Sequence, residues 1–157
     1  MAEIALGGKR GRGKVALVDD ADIPLVSGYR WHFSPHGYAY ARPYLGNYRK
    51  ATIYMHRLIL DPPGEFQTDH ANRNKLDNRR VNLRVATVSQ NRANKNIAPG
   101  RIKGIKKERS AATWQARIKV NQKTICLGNF RTPEQAALAY NEAAKLHFGE
   151  FAVLNAL

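Results

Sequence analysis

With 43% hydrophobic residues, the 157-residue chain can fill one ordinary domain or two small ones with thin cores. Its single cysteine, Cys126, excludes an internal disulfide framework and a cysteine-rich zinc site, and fits a reducing, intracellular setting. Lys and Arg outnumber Asp and Glu by 26 to 12, a net charge of +14. Residues 85–131 hold eleven basic side chains and one acid, a net of +10, while 132–157 hold one basic and three acidic residues. A scattered surplus is explained by a solvated basic face, but a concentrated one favours a polyanion partner. Nucleic acid is the better candidate, because the basic segment has no long amphipathic helix to lie in a membrane interface. No apolar run approaches the ~20 residues that span a bilayer. MAEIALGGKRGRGK lacks a following apolar region, so no secretory signal is expected, and the chain reads as soluble and cytoplasmic.

In chain order, VALVDD (15–20), YRWHF (29–33), YAYARPY (38–44) and ATIYMHRLIL (51–60) read as short strands rich in β-branched and aromatic residues. SPHG (34–37) and LGN (45–47) are the turns between them, and DPPGE (61–65) ends the last run. Phe66 to His70 is predicted as a strand, ANRNKLDNRR (71–80) as a tight loop, and NLRVA (82–86) as a second strand. Thr87 and Gln90 have capping-box spacing, starting a helix that carries Asn91. RANKNIAPGR (92–101) is the connector. Three further strands follow, in RIKGIKKE (101–108), TWQARIKVN (113–121) and KTICLGNF (123–130), joined by ERSAA and NQ turns. Thr132 as N-cap and Pro133 at the first helical position begin an alanine-rich helix that ends near Gly149. Three strands and a helix make an α+β unit of about 55 residues, near the lower limit for independent folding.

The stretch TDHANRNKLDNRRVNLRVATVSQN places an acid beside a histidine in a field of arginine. Strand, loop, strand and helix in this order can bring Asp69 and Asn91 to one point while His70 faces a neighbouring site. A neutral imidazole suits deprotonation of water, and a carboxylate with an amide oxygen suits a hard divalent ion. Such a set is sufficient for a one-metal nuclease. Chance Asp-His pairs, and asparagines that merely tolerate left-handed turns, are the plainer reading of the same residues.

TDHANRNKLDNRRVNLRVATVSQNRANK closely resembles the phage form of the HNH homing-endonuclease motif, a ββα-metal motif over about 66–96. By that resemblance His70 is the general base and Asp69 the first metal ligand. Asn82 is implied to hold the loop and orient the histidine, and Asn91 fills the last ligand position. One divalent metal is implied, Mg²⁺ first and Mn²⁺ as the alternative. The upstream VALVDDADIPLVSGYRWHF, GYAYA and IYMHRLI also resemble this branch, extending the match to about residues 14–96. Arg79, Arg80 and Arg84 suit the charge of a DNA phosphate. Asn78 reads as a turn residue. His56 is a rival base or ligand, although a lone histidine near an apolar strand is more often packed. His32, His36 and His147 lack an acidic or amide constellation and receive no role.

GIKKERSAATWQARIKVNQKTICLGNFRTPEQAALAYNEAAKLHFGEFAVLN resembles the APETALA/ethylene-response-factor DNA-binding domain, whose members lay a three-stranded sheet in the major groove. Arg117 and Lys119 alternate with Ala116, Ile118 and Val120, which gives one basic strand face and one that packs on the helix. Arg pairs bidentately with guanine, and Lys mainly neutralises phosphate. Lys103, Lys106, Lys107, Arg109 and Lys123 complete the candidate DNA contacts, and Trp114 either joins them or packs under the helix. The plant-type pattern has a longer, arginine-rich first strand.

Together these features read as an α+β chain with an endonuclease module at 1–96, a linker at 97–101 and a DNA-binding domain at 102–157. The expected partner is double-stranded DNA, with no membrane, the protein acting as a monomer first and a dimer second. The resemblance implies a phage-infected or bacterial cell. A non-catalytic DNA-binding regulator that keeps the hairpin as scaffold is the competing reading, and RNA binding is a weaker third.

Overall fold

The computed structural model of the chain describes residues 1–44, 51–108 and 112–157. The LGN turn, Arg109 and the middle of the ERSAA turn lie outside the described residues. The fold is mixed α/β, with small antiparallel sheets and few helices, and it separates into two compact units, Met1–Ala86 and Thr87–Leu157. That boundary lies upstream of the 97–101 connector, so the helix after Thr87 is grouped with the second unit. Among the described residues no helix is long and apolar enough to cross a membrane.

In the first unit, β1 (Ala2–Ala5) pairs antiparallel with β2 (Val15–Val18) in the register Ala2↔Val18 to Ala5↔Val15. Ala16 and Val18 turn inward and are fully buried, as the period-2 pleat requires. A 3-10 turn, Asp20–Asp22, leads into the short helix α1 (Ile23–Val26). Then β3 (His32–Phe33), β4 (Ala39–Ala41) and β5 (Ile53–Tyr54) form a three-stranded sheet in sequence order. Leu6, Val18, Val26, Trp31, Met55 and Ile59 meet in one core, where the Trp31 indole N–H donates to the Val26 carbonyl at 2.9 Å.

The expectation of a strand throughout ATIYMHRLIL is corrected. Only Ile53–Tyr54 is extended, and Met55–Leu60 is a helix, α2. A strand with Met55 and Ile59 inward would put Arg57 in the core beside them, whereas helical winding buries Met55, His56 and Ile59 and leaves Arg57 exposed. Asp61, in the left-handed region at φ 44°, ends α2 ahead of Pro62 and Pro63. The chain then enters β6 (Gln67–His70), which pairs antiparallel with β7 (Leu83–Ala86).

The second unit begins with α3 (Val88–Ala93), whose capping box forms as expected. The Gln90 N–H donates to Thr87 Oγ1 at 3.2 Å, and the Thr87 N–H donates to Gln90 Oε1 at 2.8 Å. β8 (Ile105–Lys107), β9 (Trp114–Val120) and β10 (Lys123–Phe130) form an antiparallel sheet with β9 central. The helix α4 (Pro133–Phe148) packs on it through Ala136, Ala137, Tyr140, Ala144 and Phe148. Small side chains permit close approach. At Gly104 a Cβ would lie 1.9 Å from the Tyr140 ring, so only glycine admits the helix at that point. Asn141 and Asn155 exchange two hydrogen bonds, at 3.0 and 2.8 Å, closing the C-terminal segment onto α4.

Candidate active site

Antiparallel pairing of β6 with β7 sets Asp69 opposite Arg84 and His70 opposite Leu83. Asp69 is 5% exposed, and its Oδ2 accepts from Arg84 Nε at 2.9 Å. His70 is the last residue of β6, and its backbone carbonyl accepts the Arg73 N–H at 2.9 Å as the chain turns.

Asparagines wind the loop between the two strands. Asn72 Oδ1 accepts from the Asn74 N–H at 2.8 Å, and Asn74 Oδ1 from the Leu76 N–H at 3.1 Å, side chains standing in for turn carbonyls. Asn82 closes the loop, since its Oδ1 accepts the Asn72 N–H at 2.8 Å and its Nδ2 donates to the Asp77 carbonyl at 2.7 Å. Asp77 is clamped by Arg79 Nε and Nη2, each at 2.7 Å, and by Asn72 Nδ2 at 2.8 Å. The Arg79 hydrogen bond leads in holding the Asp77 carboxyl below its usual range. β2 supports the loop from outside, because the Leu17 N–H donates to Leu76 O and the Asn78 N–H to Leu17 O, both at 2.8 Å.

Asn78, expected only to make a turn, is fully buried and reaches His70. Its Nδ2 donates to the Leu76 carbonyl at 3.1 Å, which orients the amide so that Oδ1 stands 3.4 Å from His70 Nε2. Only an N–H can donate to that oxygen, so the Nε2–H tautomer is the one this contact favours, and in it Nδ1 is the basic nitrogen. Burial lowers the His70 pKa from 6.5, against opposing contributions from the Asn78 hydrogen bond and the Asp69 and Asp77 charges. Loop closure thus falls to Asn82, while Asn78 is the amide at the imidazole. Nothing in local spacing separates two loop asparagines with these different tasks.

His56 packs beside His70, their ring centroids 5.1 Å apart at 73°. Tyr38 lies 4.8 Å from His56 and 5.9 Å from His70, and Tyr54 lies 5.6 Å from His56. His56 is 7% exposed, and its Nδ1 is buried with no hydrogen-bond partner in the described residues. Burial pushes its pKa down to about 3, with His70 and Arg57 adding in the same direction, so it stays neutral. Burial, and then the Asp69 charge, raises the Tyr38 pKa. His32 lies 5.8 Å from the Tyr40 ring.

The three motif arginines each meet an acid of their own unit. Arg79 is paired with Asp77 and Arg84 with Asp69. Arg80 Nε and Nη2 lie 2.8–3.1 Å from the Asp22 carboxylate, and its backbone N–H donates to Asp19 Oδ2 at 2.8 Å.

In the second unit, Asn91 lies within α3. The Lys103 ammonium donates to the Ala93 and Lys95 carbonyls, covering the C-terminal end of that helix. Lys106, Arg117 and Lys119 are exposed on the sheet face away from buried Ala116 and Ile118, and Lys106 Nζ is 3.9 Å from Glu108. Trp114 shares the Ala116 side of β9, is half-buried, and has Lys107 Nζ 5.8 Å from its ring. Lys107 and Lys123 are exposed. A crevice of about 700 Å³ in this unit is lined by Arg92, Lys103, Arg117 and Lys119 and, among the described residues, by no acid.

Among the described residues no three His, Cys, Asp or Glu side chains gather as a metal cluster. Asp69 in the first unit offers a carboxylate oxygen and Asn91 in the second an amide oxygen, each a donor of the type a hard divalent ion takes.

A family model described as HNH endonuclease matches residues 61–93, which span β6, the asparagine loop, β7 and α3. The match ends ahead of β8, so it does not extend to the C-terminal sheet. Over 152 residues the chain is 36% identical to a protein of Acanthamoeba polyphaga mimivirus named as an uncharacterized HNH endonuclease, covering 93% of this chain and 77% of that relative.

Proposed function

This chain belongs to the HNH endonuclease family, and we propose that it is a metal-dependent nuclease hydrolysing phosphodiester bonds of double-stranded DNA. The observation that carries the reading is the buried, neutral His70 with its Nε2 against Asn78 Oδ1, one residue from the Asp69 carboxylate. His70 Nδ1 takes a proton from water, which attacks the scissile phosphorus and leaves 5′-phosphate and 3′-hydroxyl ends. Asn78 keeps the imidazole in the tautomer that can accept, and Asn82 keeps the loop closed behind it. Asp69 and Asn91 are the residues that would hold the divalent ion, Mg²⁺ first. When bound, such an ion supplies Lewis-acid stabilisation of charge on the phosphate and leaving oxygen.

The second unit supplies affinity in this reading. Support comes from Lys106, Arg117 and Lys119 on one sheet face, with Gln115 between them, as in the APETALA/ethylene-response-factor likeness. Incubation with supercoiled plasmid, in Mg²⁺ or in EDTA, tests the proposal. Nicked or linear products with Mg²⁺ and none with EDTA are expected. Protein that shifts DNA in a gel but cuts it under neither condition would instead be a DNA-binding regulator.

A further inference from the structure

The first unit carries a dense run of cations that the proposed chemistry does not use. Between β1 and β2, residues 7–14 read GGKRGRGK, and Lys9, Arg10, Arg12 and Lys14 are all exposed. No acid occurs between Glu3 and Asp19, and Lys9, Arg10 and Arg12 have no ion-pair partner among the described residues. We propose that this loop is a backbone grip for duplex DNA, belonging to the catalytic unit itself. The proposal rests on the nuclease reading above and adds to it a contact surface outside the HNH motif and the C-terminal sheet.

Two observations separate the loop from a merely solvated charge run. It is a built structure, first of all. The Gly7 N–H donates to Trp31 O at 2.8 Å, Gly11 to Gly8 O at 3.1 Å, Lys14 to Gly11 O at 2.9 Å and Leu6 to Lys14 O at 3.0 Å. Gly11 is buried where the chain doubles back, and a Cβ there would sit 2.4 Å from the Gly7 carbonyl oxygen. That folding leaves Lys9, Arg10 and Arg12 outside, three cations within four residues of chain, and self-repulsion of such a run is relieved when an anion joins it.

Contrast with the motif arginines is the second observation. Arg79, Arg80 and Arg84 lie nearest the candidate chemistry, but Asp77, Asp22 and Asp69 already neutralise them. A phosphate offered to those guanidiniums must compete with a carboxylate, and one offered to the loop need not. β2 links the two places, since it begins directly after Lys14 and contains Leu17, whose backbone bonds Leu76 and Asn78. Three residues of strand span about 10 Å, and nucleotides rise about 3.4 Å along one DNA strand. The Lys14 end of the loop therefore lies within about three base pairs' length of the loop that supports His70. Guanidinium and ammonium groups on an open loop suit phosphate oxygens rather than base edges, so the grip is sequence-independent and salt-sensitive.

The test uses the full chain and a random-sequence duplex, with binding read by fluorescence anisotropy in EDTA between 50 and 200 mM salt. The triple variant K9A/R10A/R12A is expected to flatten the slope of log K against log salt by about 2.7, at about 0.9 per phosphate contact. Its affinity falls at least tenfold at the lower salt, and in cleavage assays the loss appears in KM rather than in kcat. The charge-conserving K9R/R10K/R12K restores the slope, which a purely structural role for these side chains would not produce. A charge-reversed K9E/R10E/R12E that folds by circular dichroism extends the loss further. A parent that binds and cleaves DNA while the triple variant keeps its slope overturns the grip alone. A parent with no affinity for duplex overturns the grip and the nuclease reading together.

Discussion

Two sets of cations share one chain and stand in opposite surroundings. Around the asparagine loop, Arg79, Arg80 and Arg84 face Asp77, Asp22 and Asp69, all nearly fully buried. On the open face of the second unit's sheet, Arg117 and Lys119 stand exposed on β9, and among the described residues no acid lines the crevice they border. Arginine at the first place organises structure; at the second it offers charge to solvent or to a polyanion. The difference teaches that a cation's task is read from its partner and not from its type.

The largest expected effect isolates the chemistry from both sets. His70→Ala should lower single-turnover plasmid cleavage by about 10²–10⁴-fold, the range for a general base, with gel-shift affinity kept. Cleavage equal to the parent's would end the proposed mechanism.

The next prediction concerns the scaffold. Asn82→Ala leaves the Asn72 N–H and the Asp77 carbonyl without their partner and should cost about 2–3 kcal/mol in urea denaturation. Arg79→Ala should lower the unfolding midpoint in the same experiment while hardly moving the salt dependence of DNA binding. The converse holds on the sheet. Arg117→Ala should change stability by no more than about 0.5 kcal/mol, as for other surface sites, yet flatten the salt slope by about 1. If Arg79→Ala moved the slope and Arg117→Ala moved the midpoint, the comparison would be wrong.

A further effect, seen only as pH changes, is carried by His56. Its folded pKa, about 3, lies below the ordinary 6.5, so between these values the unfolded chain binds more protons than the folded one. Stability therefore rises with pH across that window and is lost as pH falls through it, by at most about 1.4 kcal/mol per pH unit for this group. His56→Phe, compared with the parent in urea titrations from pH 4 to 7, should show a shallower slope. His70, shifted in the same direction, also places the acid limb of the cleavage profile below the usual imidazole range.

Several features were legible because their signals are local. Thr87 with Gln90 is a capping box within four residues, Thr132-Pro133 opens α4 and Gly149 ends it, and Asn121-Gln122 turns β9 into β10 with both residues at positive φ. The β9 alternation likewise puts Arg117 and Lys119 on one face from sequence alone. The helix over Met55–Leu60 was misread because a short apolar run satisfies either period, and the burial of His56 beside Met55 and Ile59 decides between them.

By itself the sequence determined the strands and helix of the C-terminal unit, the basic bias of the middle of the chain, and the Asp-His-Asn pattern that marks the family. Tertiary structure alone decided which side chains meet around that pattern. Asn78 rather than Asn82 meets His70, a second imidazole from α2 packs against the first, and Arg80 finds Asp22 from 58 positions away. Hydrogen-bonded turns and caps depend on neighbours within a few residues, so they are written in the local sequence. The partner of a buried charge is chosen by whichever distant element the fold brings within 3 Å, where desolvation makes an unpaired group too costly to leave.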